Sequence, residues 1–152
     1  MSLEKVLHDG KQEMLSEAVE SVRRARLQGY EKAGPDLLRQ RLGVLLDLVI
    51  NAVLERNLTP IITHANTVAT ERFEAGVDLS EVQTAFNVLE EAIWLRILKK
   101  LPPAKQAEAL GLVGTVLGTA KDALARQYVS MATRTHTPSL NLKALFLGSD
   151  TF

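Results

Sequence analysis

Residues 69–97, ATERFEAGVDLSEVQTAFNVLEEAIWLRI, contain the clearest local structural signals in the chain. Gly76 is typical of a helix end. Asp78, with Glu81 three positions later, resembles a capping box at the start of another helix. Bulky apolar residues then recur at steps of three or four, as on one face of a helix: Val82, Phe86, Leu89, Ile93 and Ile97. The segment predicts two helices that meet at residues 76–78.

The same periodicity extends in both directions and predicts an all-α fold. Helices are expected over residues 2–28, 35–56, 59–75, 78–100 and 103–133, and Gly10 marks a possible break in the first. Residues 35–56 are apolar on most faces, which is typical of a central helix. Abundant aliphatic residues and few β-like alternations favour a single helical bundle or globin-like packing of about five to seven helices.

Length, charge and composition exclude several classes of protein. The 152 residues suit one domain, and 18 basic residues balance 18 acidic ones, so nucleic acid is not an expected partner. Without cysteine there is no disulfide, zinc-thiolate site or thiol nucleophile. No apolar stretch approaches the roughly 20 residues of a membrane span, and the N-terminus lacks a signal-peptide core. A cytoplasmic location is the simplest expectation.

Three glycines lie inside the last predicted helix, at Gly111, Gly114 and Gly118. They cost about 2–3 kcal/mol of helix propensity relative to alanine, so a covering contact is expected. Close approach of a neighbouring helix is one explanation, and a subunit seam or ligand pocket is the other. Trp94 presents a similar choice between core packing and an oligomer surface. We expect a dimer seam at the first helix and near Trp94, with the glycine-rich helix as a competing position.

Asp47 and His64 are the two polar residues that are candidates for a role in binding or catalysis. An unpaired buried carboxylate costs several kcal/mol, so Asp47 lies on an exposed polar strip, pairs with a buried arginine, or anchors a ligand. An enzyme acting through Asp47 would need a second acid in a cleft. His64 could serve as a haem ligand, but aromatic residues, which usually line haem sites, make up only 5% of the chain. We therefore expect no catalytic residue, no metal site and no cofactor.

The segment 69–82, together with Phe86, Leu89, Ile93 and Trp94, resembles the RsbRD-type N-terminal sensor domain. The shared pattern is Arg72, then Gly76-Val77-x-Leu79-x-Glu81-Val82 at a helix junction, and the resemblance covers about residues 3–133. It implies a globin-like fold that usually lacks haem, homodimerisation, and signal input in bacterial stress regulation. Arg72, Gly76, Asp78 and Glu81 are then structural junction residues, while Phe86, Trp94, Asp47 and the three glycines are candidates for a pocket or interface.

These observations predict a helical domain over residues 1–134 and a tail over residues 135–152. The tail contains an apolar run at 140–147, which is expected to pack on its own domain or on a partner. Since the chain stops about twenty residues after the last helix, we expect regulation of a signalling partner in trans. The expected function is a non-enzymatic regulatory or sensor domain that acts by protein–protein contact. The alternative is a carrier or sensor of a small hydrophobic ligand, a lipid or haem, in a helix-lined cavity.

Overall fold

The computed structural model describes residues 1–136, and the side chains of residues 1–134, as a bundle of helices. In chain order the helices are α1 (Leu3–Asp9), α2 (Lys11–Ala25), α3 (Gln28–Ala33), α4 (Pro35–Glu55), α5 (Thr59–Glu74), α6 (Leu79–Lys100) and α7 (Pro103–His136). The predicted all-α fold is confirmed, and residues 1–136 contain no strand. The apolar run at 140–147 lies outside the described residues.

The first predicted helix is divided into α1 and α2 at Gly10, the position where a break was expected. Gly10 ends α1 and begins α2, and an added Cβ there would lie 2.2 Å from Nε of Arg96. The Arg96 side chain occupies this space, where its Nη1 donates to the Glu13 carboxylate at 2.8 Å. The predicted end at residue 28 is not observed: α2 ends at Ala25, and the short α3 follows.

The core is formed where α4, α6 and α7 pack with α2 and α5. Pro35 begins α4, where a missing N–H costs no hydrogen bond. The predicted inward face of α6 is confirmed, because all five of its apolar residues are at most 3% exposed. No polar or charged side chain among residues 1–134 is classed as fully buried. The fold therefore depends on apolar packing.

Helices α6 and α7 form an antiparallel hairpin. Gln106 donates to the Leu98 carbonyl oxygen at 3.3 Å, and Lys121 donates to the Glu90 carboxylate at 2.7 Å. These two contacts place Trp94 and Gly114 at about the same level of the hairpin. Helix α7 has 34 residues and is about 51 Å long at 1.5 Å per residue. None of the described helices is both long and apolar enough to cross a membrane.

Candidate functional site

The α5–α6 junction is built around a glycine in the left-handed region. Gly76 has φ +76°, its N–H donates to the Phe73 carbonyl oxygen at 3.0 Å, and the Val77 N–H donates to the Arg72 carbonyl oxygen at 3.0 Å. This pair of bonds is the Schellman motif, which satisfies the free carbonyls of a helix end. The prediction that Gly76 ends a helix is confirmed.

Glu81 has a different role from the one that the sequence predicted. Asp78 has the extended backbone of an N-cap, but its side chain makes no capping hydrogen bond. The Glu81 carboxylate instead accepts from the backbone N–H groups of Gln28 at 3.1 Å and Gly29 at 3.2 Å. The predicted capping box is wrong, because the free amides of α3 take this carboxylate. Leu27, the N-cap of α3, has no side-chain oxygen to offer them.

Tyr128 fixes the same junction to α7. Its hydroxyl donates to the Val77 carbonyl oxygen at 2.9 Å, and its ring packs edge-to-face on Phe73 with centroids 5.8 Å apart. Burial raises the pKa of Tyr128 to about 12, against the opposing charge of Arg72. The sequence analysis did not predict this polar contact of Tyr128. The junction is thus joined to α3 through Glu81 of α6 and to α7 through Tyr128.

Arg72 lies at the centre of this junction and is nearly buried, with 13% of its side chain exposed. Its Nη1 is 3.9 Å from the Glu71 carboxylate, and its buried Nε has no hydrogen-bond partner. Burial lowers the pKa of Arg41 in α4, and repulsion from the nearby Arg72 lowers it further. We call Arg41 and Arg72 the arginine pair. Nothing in the sequence indicated that Arg41 and Arg72 would share a site.

The arginine pair lies on the boundary of two cavities. The first, the junction cavity, has a volume of about 430 Å³. The second, the apolar groove, has a volume of about 280 Å³ and extends between α4, α5 and α6. Both are lined by Tyr30, Leu37, Arg41 and Arg72. The junction cavity is completed mainly by residues of α3 and the α5–α6 turn: Gln28, Gly29, Lys32, Ala33, Ala75, Gly76, Val77, Asp78 and Glu81.

The apolar groove contains two of the residues that the sequence analysis singled out. Phe86 is 3% exposed and lines the groove together with His64. Burial is the main cause that lowers the pKa of His64, while Glu71 raises it and Arg72 lowers it further. Burial also raises the pKa of Tyr30, against the charges of Arg72 and Arg41. The surroundings therefore favour the uncharged forms of His64 and Tyr30.

Asp47 and Trp94 lie outside these cavities. The Asp47 carboxylate is 52% exposed and pairs with the Lys11 ammonium group. Asn51 and Glu55 are exposed on the same strip, so the exposed-strip prediction is confirmed and the predictions of a buried pair or catalytic cleft at Asp47 are wrong. Trp94 is 44% exposed, which contradicts the expectation of core packing.

The three glycines of α7 lie on the outer side of the bundle. An ideal Cβ at Gly111, Gly114 or Gly118 would meet no described atom within 4 Å. The expectation of a closely packed neighbouring helix is therefore wrong for residues 1–134. Together with Trp94 and Leu98 of α6, the latter 45% exposed, these glycines define what we call the α6–α7 face.

Comparison with known proteins identifies the family of the chain. The family model described as the RsbT co-antagonist protein RsbRD N-terminal domain matches residues 12–139. No curated protein and no solved structure matches the chain. The matched range contains the α5–α6 junction, the arginine pair and the α6–α7 face. The chain therefore belongs to the RsbT co-antagonist RsbRD N-terminal domain family, as the resemblance at residues 69–82 implied.

Proposed function

We propose that this chain is a non-enzymatic regulatory domain of bacterial stress signalling, which forms a homodimer and acts on a partner protein by direct contact. Two lines support the proposal. The family is named for co-antagonist proteins, whose role is exerted on another protein. The α6–α7 face is the observation that favours self-association.

The α6–α7 face has the composition of a helix-packing surface. Trp94 and Leu98 are large apolar side chains, each nearly half exposed, and aromatic anchors of this kind dominate binding at protein interfaces. Across the hairpin, no described residue covers the backbone of α7 at the glycines, which permits close approach of another helix. Pairing two copies through this face would compensate the helix propensity that the glycines cost, about 1 kcal/mol each.

Light scattering after size exclusion tests the dimer. At tens of micromolar, the wild-type chain is expected to have twice the protomer mass of 16.7 kDa. The variant Leu98→Lys should have the protomer mass, because a lysine in the seam would be desolvated without a partner. Trp94→Lys should behave in the same way.

Leu95→Lys is the matched control for these variants. Leu95 is 47% exposed on the same helix, but it lines a groove on the α2 side instead of the α6–α7 face. This variant should remain dimeric, and circular dichroism should show the same helix content in all variants. A monomeric wild-type chain, or a Leu98→Lys variant that stays dimeric, would contradict the proposed homodimer and its seam.

The contact with a partner protein has its own test. The wild-type dimer and the Leu98→Lys variant would be immobilised and presented with the signalling proteins encoded beside this chain's gene. A regulatory domain is expected to retain one of them in a complex of defined stoichiometry. Binding to none of them, or conversion of a substrate that depends on one polar side chain, would oppose the proposal.

A further inference from the structure

The arginine pair concentrates positive charge that the side chains of residues 1–134 leave largely uncompensated. Glu71 is the nearest carboxylate to Arg72, at 3.9 Å, and it is 61% exposed, so its compensation is weak. Glu81 is occupied by the amides of Gln28 and Gly29. Within residues 1–134 no carboxylate lies within 4.0 Å of the Arg41 guanidinium group. Arg72, the more deeply buried of the two, would normally have a close carboxylate partner.

The hydrogen bonding of Arg72 also indicates that one donor of this side chain lacks a partner within residues 1–134. A guanidinium group offers five N–H donors in a planar fork that matches a carboxylate or phosphate. The Nε donor of Arg72 is buried and makes no hydrogen bond with any described residue. Lys32 adds a third cation to the wall of the junction cavity, which also has the acids Asp78 and Glu81. An anion at the arginine pair would supply the missing acceptor.

The apolar groove beside the arginine pair sets a second requirement for a ligand, which must also cover apolar walls. Beyond the residues that it shares with the junction cavity, its walls include Leu42, Leu45, Val68 and Phe86. At about 280 Å³ it is smaller than the usual pocket for a drug-sized molecule, so its occupant is small. A purely inorganic anion would leave these apolar walls uncovered.

From this geometry we propose that the cavities bind a small amphipathic organic anion. Its anionic group is held between Arg41 and Arg72, and its short aliphatic part lies in the apolar groove along Leu45, Val68 and Phe86. The site goes beyond the proposed regulatory function, and its binding can be measured without a partner protein. It is also separate from the α6–α7 face, so the oligomeric state and the ligand can be tested independently.

Calorimetric titration of the full chain tests the proposal with three probes. Octanoate carries both required parts, 1-octanol lacks the charge, and inorganic phosphate lacks the aliphatic part. Octanoate is expected to bind at least about tenfold more tightly than either of the others, as a charge-assisted hydrogen bond and apolar burial each contribute. Equal binding of octanol would overturn the anion site, and equal binding of phosphate would overturn the role of the groove. Failure of octanoate to bind at millimolar concentration would overturn both.

Substitutions then locate the octanoate. Arg72→Gln and Arg41→Gln should each weaken octanoate binding by about tenfold or more, since each removes a charged donor. Arg72→Lys keeps the charge without the fork and should lose less. Arg126→Gln is the matched control, because Arg126 is an exposed arginine that pairs with Asp122 on α7. Arg41 is only partly buried, so Arg41→Gln keeps the test decisive if Arg72→Gln does not fold. Unchanged binding in a folded Arg41→Gln variant would overturn the site.

Discussion

The apolar groove lowers the pKa of one of its side chains, that of His64. Its imidazole lies among the apolar walls of α4, α5 and α6, and burial disfavours its charged form. Arg72 acts in the same direction, and Glu71 opposes both. His64 is therefore a residue through which pH affects the folded chain.

The pKa of His64 determines the sign of a pH effect on stability. Because this pKa lies below the ordinary value of 6.5, the unfolded chain binds a proton more readily than the folded chain. The free energy of unfolding should therefore fall as pH is lowered through 6.5 towards the folded-state pKa. Urea unfolding at a series of pH values measures this loss, and NMR titration gives the pKa directly. In His64→Gln this part of the pH dependence should disappear, whereas Glu71→Gln should lower the pKa of His64 further. A His64 pKa above 6.5 would refute the prediction.

At the scale of single residues, local signals were predictable and distant partners were not. Gly76 could be assigned because a helix end depends on its own few neighbours. The partner of Glu81 lies 53 positions away at Gln28, so no local pattern could reveal it. The sequence left Trp94 open between core packing and an oligomer surface, because a position at the edge of an apolar face fits either; its exposure excludes core packing.

Among the elements, α3 differs from the others because none of its residues is buried. It has six residues and no capping side chain of its own, so little apolar packing stabilises it. Glu81 provides charged acceptors at its N-terminus, where the helix dipole favours a carboxylate. Gly29 gives the carboxylate room, since a Cβ there would lie 2.9 Å from Oε2 of Glu81. Glu81 thus holds the N-terminus of α3, while Tyr30 packs against the core.

Removing this carboxylate should release α3 while the bundle stays folded. Glu81→Ala is expected to cost about 1 kcal/mol of local stability, the usual effect of losing a helix cap. Hydrogen exchange should become faster at residues 28–33 and remain unchanged in α4 and α6. Glu91→Ala, which removes an exposed acid of the same helix, is the control. Unchanged protection of residues 28–33 in Glu81→Ala would show that other contacts hold α3.

The contrast between α3 and the longer helices also explains which elements were predictable. Helices α4 to α7 have apolar residues at helical spacing together with proline or glycine at their ends, so their bounds were close to those expected. Helix α3 lacks a buried face, and its residues were therefore left between the first two predicted helices. The arginine pair could not be predicted either, because it depends on how α4 and α5 pack.

For the whole molecule, the α6–α7 face separates the stability of the protomer from the proposed dimerisation. Glycine in a helix interior is destabilising, and within the described part of the chain the three glycines have open space beside them. A protomer alone would therefore gain stability from alanine at these positions. Their presence is explained if another copy needs the space.

Gly114→Ala tests this reasoning with two measurements. In the Leu98→Lys background, it should raise the free energy of unfolding by about 1 kcal/mol through helix propensity. In the otherwise wild-type chain, it should raise the dimer dissociation constant by about tenfold, which corresponds to about 1.4 kcal/mol of lost packing. Gly43→Ala is the control, since its Cβ would make an ordinary 3.7 Å contact with Leu15 and should leave association unchanged. If Gly114→Ala tightens the dimer, the seam lies elsewhere.

The length of α7 has a mechanical consequence. A straight helix of about 51 Å acts as a lever, since a rotation of about 10° at its first turn would carry its last turn by roughly 9 Å. The hydroxyl of Tyr128 holds this helix to the α5–α6 turn at Val77, close to the arginine pair. Tyr128 lies 25 residues beyond the first residue of α7 and 8 before its last, so a displacement of the α5–α6 turn would be passed to the last turn of α7 enlarged by about a third.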